Sequence, residues 1–292
     1  MACTKSCIGE LFPRLVDKWR GFLILSRPVN VVISFLSILV AIVICGWDKW
    51  ESALFACLTG ACMTAAANAI NDVYDLEIDR INRPYRPLPK GLITPKEASI
   101  FSIIFFLLGV VSSALINEKT LVIAVIFAVL LYLYSASLKR KVLIGNVTVS
   151  LATAFAFIFG GVAVGGVQDA LFPALFAFLI HFGREIIKDM EDVDGDARDG
   201  ARTMPIRYGM RPAKIMVTIL LMALILITQA PFLFGIYGTW YLVVVNLGVN
   251  TVLLTTIFSM WMKPVRSNYR LLSALLKADM LVGLTAIYIG RY

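Results

Sequence analysis

Charge is what this sequence has little of. Only 16% of its 292 residues are Asp, Glu, Lys or Arg, against about 25% in an ordinary soluble domain. A chain this size that folded in water would need far more polar surface to cover its core. A disordered protein is excluded, and the composition argues against a soluble globular one. Histidine occurs once, as His181, and reads as an interior side chain rather than a catalytic base. The five cysteines make no disulfide framework. Cys45, Cys57 and Cys62 lie in apolar runs, where a thiol behaves as a small hydrophobe. Cys3 and Cys7 have a CxxxC spacing but no second ligand pair to complete a zinc site. The N-terminus also lacks the form of a signal peptide, since Lys5, Arg14, Lys18 and Arg20 are scattered through it. Ile8, Leu11, Phe12, Leu15 and Trp19 recur at helical spacing, which predicts a short interfacial helix within residues 1–20.

What is present in excess is apolar sequence. The hydrophobic fraction is 59% and the mean hydropathy +0.83. A membrane-spanning helix needs about 20 mostly apolar residues, and nine runs qualify: 22–45, 52–74, 98–116, 120–138, 144–166, 170–188, 213–235, 238–261 and 271–290. The breaks between them are short and polar. The expectation is an all-α membrane protein whose residues 21–292 form a single domain of nine transmembrane helices. Alternating loops sort the basic residues: 24 of the 27 Lys and Arg fall on one side, and only Lys49, Lys119 and Arg291 on the other. By the positive-inside rule the N-terminus faces the cytoplasm and the chain crosses the cell membrane many times. The net charge of +8 then describes orientation, with no nucleic-acid partner implied.

The cytoplasmic side also carries most of the acid, in two copies of one pattern. Asp72-x-x-Asp75-x-x-x-Asp79 recurs as Asp189-x-x-Asp192-x-x-x-Asp196, each at the inner end of an outside-to-inside helix. At about 100° per residue, Asn68, Asp72, Asp75 and Asp79 fall within about 60° of one another on a continuous helix. Glu185, Asp189 and Asp192 align likewise, and Asp196 joins them only if the helix survives Gly195. Two carboxylates about 4 Å apart repel by about 4 kcal/mol at an effective dielectric near 20, and the helix C-terminus adds to the cost. A divalent cation reverses that sign. Oxygen-only ligands suit Mg²⁺, which favours one or two carboxylates together with phosphate oxygens. An acidic run beside basic loops is ordinarily a solvated, salt-bridged face. Two copies of identical spacing on one side point instead to a clamp for a metal–diphosphate, with the active site facing the cytoplasm. Basic residues follow each copy, and Arg forks and Lys point charges suit phosphate.

At these residues the chain resembles the UbiA superfamily of membrane prenyltransferases. That family's NxxxDxxxD motif matches Asn71, Asp75 and Asp79. Its DxxxD motif matches Asp192 and Asp196, with Lys188 one turn before. Leu25-Ser26-Arg27-Pro28-Val29-Asn30 resembles the family's opening LxRPxN, and Tyr134-Ser135 with Lys139 and Arg140 resembles its YSxxLKR segment. The resemblance implies a nine-helix bundle of UbiA type and Mg²⁺ held by Asn71, Asp72, Asp75, Asp79, Asp189, Asp192 and Asp196. It implies catalytic roles for Asp75, Asp79, Asp192, Asp196 and Lys188. Diphosphate contacts would come from Lys188, Arg86, Arg202 and Lys139, and further substrate contacts from Arg27, Asn30, Asn68, Arg83, Tyr134, Ser135 and Arg184. The implied donor is a prenyl diphosphate whose tail lies between apolar helices, open to membrane lipids.

The acceptor is less directly indicated. The segments Arg83–Gly91 and Arg184–Asp196 resemble the branch of that superfamily that joins geranylgeranyl diphosphate to geranylgeranylglyceryl phosphate in ether-lipid synthesis. Chlorophyll-type and aromatic or quinone-precursor prenylation stay open. A cation-dependent transporter is the rival from another class, but transporters place their charges near the midplane. Inside the ninth helix, Lys277 and Asp279 are intramembrane ionisable residues. Two positions apart, they point to different faces, and Asp279 is expected to pair with a cytoplasmic arginine. Gly160, Gly161, Gly165 and Gly166 read as a close helix contact.

Overall fold

The computed structural model describes residues 16–46, 50–198 and 200–291. Cys3, Cys7, Lys49 and most of the expected interfacial helix lie outside the described residues. The regular structure is helical throughout: α1 (Val16–Ser26), α2 (Pro28–Ile44), α3 (Trp50–Tyr74), α4 (Leu76–Asn82), α5 (Pro95–Ala114), α6 (Glu118–Ala136), α7 (Ile144–Val164) and α8 (Leu171–Arg198) lead into α9 (Met204–Tyr208), α10 (Met210–Ile227), α11 (Ala230–Leu233), α12 (Thr239–Val244), α13 (Thr251–Met262) and α14 (Arg266–Gly290). Among the described residues, eight helical spans are long and apolar enough to cross a membrane, and the pair α1–α2, bent by 47°, makes a ninth. A single turn of π-helix, Val245–Asn250, joins α12 to α13 within one span.

The spans begin and end where local chemistry dictates. At α5, Thr94 and Glu97 form a reciprocal capping box, with Pro95 in the first turn. Asn117 and Thr120 do the same for α6. Gly165, in the left-handed conformation at φ 84°, closes α7. The first span, expected to be one helix over 22–45, is instead broken at Arg27, whose φ is 53°. Pro28 is the cause: it lacks an N–H and disfavours the helical region for the residue before it.

Two groups of helices share the interior. α8 packs against α7, α10 and α14, and α3 against α2, α5 and α6, while α2 and α7 meet between them. That last contact is made at Gly160, where an added Cβ would lie 2.7 Å from the Ala41 side chain and 2.9 Å from the Ile38 carbonyl oxygen. The outer faces of α5 and α6 stay apolar and exposed, with Ile103, Leu107, Val111, Val122, Ile126 and Val129 among them. A continuous exposed apolar belt belongs in hydrocarbon.

Candidate active site

The first acidic motif does not lie on one unbroken helix. α3 stops at Tyr74 and α4 begins at Leu76, with Asp75 between them at φ −92°, ψ 3°. The chain keeps its register, because the Asp75 N–H still reaches the Asn71 carbonyl at 2.9 Å and the Asp79 N–H the Asp75 carbonyl at 2.8 Å. The carboxylate at the break takes a partner of its own, while those on either side share Arg86. Arg86 bonds Asp72 at 3.1 Å and also pairs with Asp79. Arg27 pairs with Asp72 from the other side. Asp75 goes to Lys139, whose Nζ also lies 3.4 Å from the Asn71 Oδ1. The expected single face from Asn68 to Asp79 is therefore corrected: Asn68 turns away and donates to the Ser26 carbonyl at 2.8 Å.

The second motif keeps its helix. α8 continues through Gly195 to Arg198, so Asp196 stays in helical register. Asp192 accepts from Arg83 at 2.9 Å and Asp189 from the Asn146 side-chain amide at 2.8 Å. Glu185 accepts from Arg184 at 2.7 Å and lies 3.5 Å from Lys188. A narrow cleft of about 50 Å³ is lined by Asp75 and Asp79 from one copy and Asp189, Asp192 and Asp196 from the other, together with Arg83, Lys139, Lys188 and Tyr134. The two copies thus face each other across one space. Among the described residues, His, Cys, Asp and Glu side chains do not converge in a group of three around one point. The carboxylates are drawn instead onto Lys and Arg. The carboxylates that line the cleft offer oxygen ligands, which suit a hard divalent cation.

The cations and carboxylates beside the cleft are unevenly matched. Burial works against the Asp75 carboxylate, but Lys139, Lys188 and Arg27 outweigh it and hold it below the ordinary carboxylate range. Asp79 goes the other way, raised by burial and by the neighbouring Asp72 charge despite Arg86. Arg86 itself is lowered by burial and by the nearby Arg27 and Arg83 charges. A guanidinium crowded by other cations gains from a further anion.

The cleft adjoins a larger cavity of about 530 Å³ between the spans. Arg83, Tyr134, Glu185 and Lys188 line both. The cavity's walls are apolar, with Ile123, Phe127, Leu131, Phe155 and Phe159 among them, and its polar end carries Arg27, Asn30, Asn68, Asn71, Arg86 and Arg184. Two expected contacts are not brought there. Ser135 is buried but donates within its own helix, to the Leu131 carbonyl at 3.1 Å. Arg202 is exposed and lines neither space. Sequence reasoning missed Asn146, whose signal was a lone amide opening the apolar run of α7. It also set aside His181 and Lys277, both of which line the cavity. Asp279 meets no arginine among the described residues: it is buried and both its oxygens lack a hydrogen-bond partner there.

Nine potential spans, facing aspartate motifs and an apolar cavity define an intramembrane enzyme, and the chain belongs to the UbiA prenyltransferase family, whose model matches residues 31–278. It is an integral membrane prenyltransferase. Over 240 residues it is 40% identical to a digeranylgeranylglyceryl phosphate synthase of Methanopyrus kandleri, an alignment covering 82% of this chain and 89% of that protein. A solved structure of a digeranylgeranylglyceryl phosphate synthase matches with a TM-score of 0.75 and 34% identity, over 94% of this chain and 99% of that one. A UbiA homologue from Archaeoglobus fulgidus, solved with DMAPP and Mg²⁺, shares the fold at a TM-score of 0.66 and 21% identity, over 91% of this chain and 99% of that one.

Proposed function

We propose that this enzyme transfers a geranylgeranyl group from geranylgeranyl diphosphate to geranylgeranylglyceryl phosphate, forming an ether lipid, and that it does so with Mg²⁺. One observation carries the reading: an acidic, cation-flanked cleft opens directly into an apolar cavity of about 530 Å³. Sites of that size and mixed lining suit an amphiphile with one charged end. The names of the relatives at 34–40% identity support the choice of acceptor, and the Mg²⁺-bound relative supports the choice of metal.

Asp75, Asp79, Asp189, Asp192 and Asp196 would hold the metal, with Asn71 and Asp72 behind them. When bound, Mg²⁺ neutralises the diphosphate as the allylic C–O bond breaks. Lys139, Lys188 and Arg83 exchange their present carboxylate partners for phosphate oxygens and stabilise the departing charge. The electron pair of the breaking bond leaves with the diphosphate. The acceptor hydroxyl oxygen forms the new C–O bond and gives up its proton to the departing diphosphate. Phe127, Phe155 and Phe159 house the tail, exclude water from the allylic cation and offer it ring faces. Residues 21–292 act as one unit, with the cleft on the cytoplasmic side.

A product survey by mass spectrometry tests this. The purified protein, given geranylgeranyl diphosphate and Mg²⁺, is offered geranylgeranylglyceryl phosphate, a chlorophyll precursor and aromatic quinone precursors in parallel. The expected product is the doubly geranylgeranylated glyceryl phosphate. Turnover of the other acceptors alone would overturn the assignment.

A further inference from the structure

The cavity's polar end includes side chains that the cleft does not share. Lys277 lies eleven residues after Arg266 in α14, inside a span, and meets no carboxylate among the described residues. Its Nζ donates to the Asn30 Oδ1 at 2.5 Å. Asn30 in turn donates to Asn68 at 3.3 Å, so a neutral relay positions the ammonium without balancing its charge. Across from it, Arg184 is locked to α14 through its Nε and the Ser273 carbonyl at 3.1 Å. Arg184 and Lys188 share the one carboxylate of Glu185. One turn before Arg184, His181 lines the same cavity with a buried Nδ1 that has no hydrogen-bond partner. Lys277, His181 and Arg184 are all absent from the lining of the acidic cleft.

We infer that Lys277, Arg184 and His181 form a separate subsite for the phosphate monoester of the acceptor. The inference rests on the acceptor being a phosphorylated lipid, as proposed above. An intramembrane ammonium without a counter-charge is costly and calls for an anionic ligand. The two anionic substrates are sorted by the carboxylates. A metal-bound diphosphate is compatible with the aspartates of the cleft, but a bare phosphate monoester is repelled by them and settles where cations stand in excess. An acceptor without phosphate leaves Lys277 unpaired, so the subsite selects for the phosphorylated lipid.

Equilibrium binding without donor or metal tests the assignment. Calorimetry on the detergent-solubilised full chain compares geranylgeranylglyceryl phosphate with geranylgeranylglycerol. The wild type is expected to prefer the phosphorylated lipid by at least about tenfold, and Lys277→Met to weaken that lipid by about ten- to a hundredfold. Binding of the unphosphorylated lipid should move less than about twofold, and Lys277→Arg should restore most of the loss. Mg²⁺-dependent binding of the donor serves as the check on folding. His181→Leu, expected to weaken the phosphorylated lipid by about three- to tenfold, carries the same test if Lys277→Met does not fold. Variants that bind the phosphorylated lipid as the wild type does, or lose both lipids equally, would overturn the subsite alone. A wild type that ignores both glyceryl lipids and binds an aromatic acceptor would overturn the acceptor reading and the subsite with it.

Discussion

Individual side chains in the cleft are held in pairs that a substrate must rearrange. Asp75 pairs with Lys139 and Asp192 with Arg83, so each carboxylate is already matched to a group suited to phosphate. If the aspartates hold metal, Asp75→Asn and Asp192→Asn remove a ligand but keep the shape. Each is expected to lower kcat by at least about a thousandfold in steady-state assays, while the protein still folds in detergent. Arg86 differs, because it sits between two buried carboxylates, Asp72 and Asp79. Removing one partner of a buried pair costs about 3–5 kcal/mol. Arg86→Ala should therefore lower the melting temperature by several degrees even without substrate, whereas an equal melting temperature would show the pairs to be idle. These roles were partly legible in advance. The aspartates were found by their repeated spacing, and Lys139 by its place after Tyr134 and Ser135. Asn146 was not, because an amide at the mouth of an apolar run has no period to betray it. For Lys277, spacing alone shows that it turns away from Asp279 but not that it turns toward Asn30.

At the level of helices, the apolar runs predicted most of the spans to within a few residues, though α8 runs ten residues past the expected end at 188, and other departures are places where one residue overrides the pattern. Arg27 breaks the first span because Pro28 follows it. Asp75 breaks the third helix from the fourth, yet keeps its backbone hydrogen bonds. The sequence leaves it open whether α8 survives Gly195, and the helix does. Glycine costs a helix interior about 1 kcal/mol, while Asp192 and Glu191 on the adjoining turn are tied to Arg83 and Arg270, so the helix continues. The contact of α2 with α7 depends on Gly160 having no side chain. Overpacking a tight contact costs about 1–3 kcal/mol. Gly160→Leu is expected to lower the melting temperature by several degrees and to reduce affinity for the donor, since α2 and α7 both line the cavity through Ile33 and Ala152. Thermal unfolding followed by light scattering, beside donor titration, checks both effects.

Over the whole molecule, the shortage of charge is a matter of distribution. Most of the Lys and Arg fall on one side of nine candidate spans, and both aspartate motifs share that side. If the positive-inside rule applies, a single cysteine at Lys90 in a cysteine-free background will react with an impermeant maleimide only from the cytoplasmic side, and one at Lys119 only from the outside. The reverse pattern would invert the topology. The bundle was readable from hydropathy because each span is set residue by residue against a fixed slab thickness. The junction of cleft and cavity was not, because it depends on how α3, α7 and α8 pack. That junction carries the central claim, that two facing aspartate motifs grip a metal–diphosphate. Calorimetric titration of geranylgeranyl diphosphate into the purified protein with and without Mg²⁺ tests it most directly. The account predicts tight binding that requires Mg²⁺ in the wild type and is lost in both Asp75→Asn and Asp192→Asn. Equal affinity with and without Mg²⁺, retained in both variants, would contradict it.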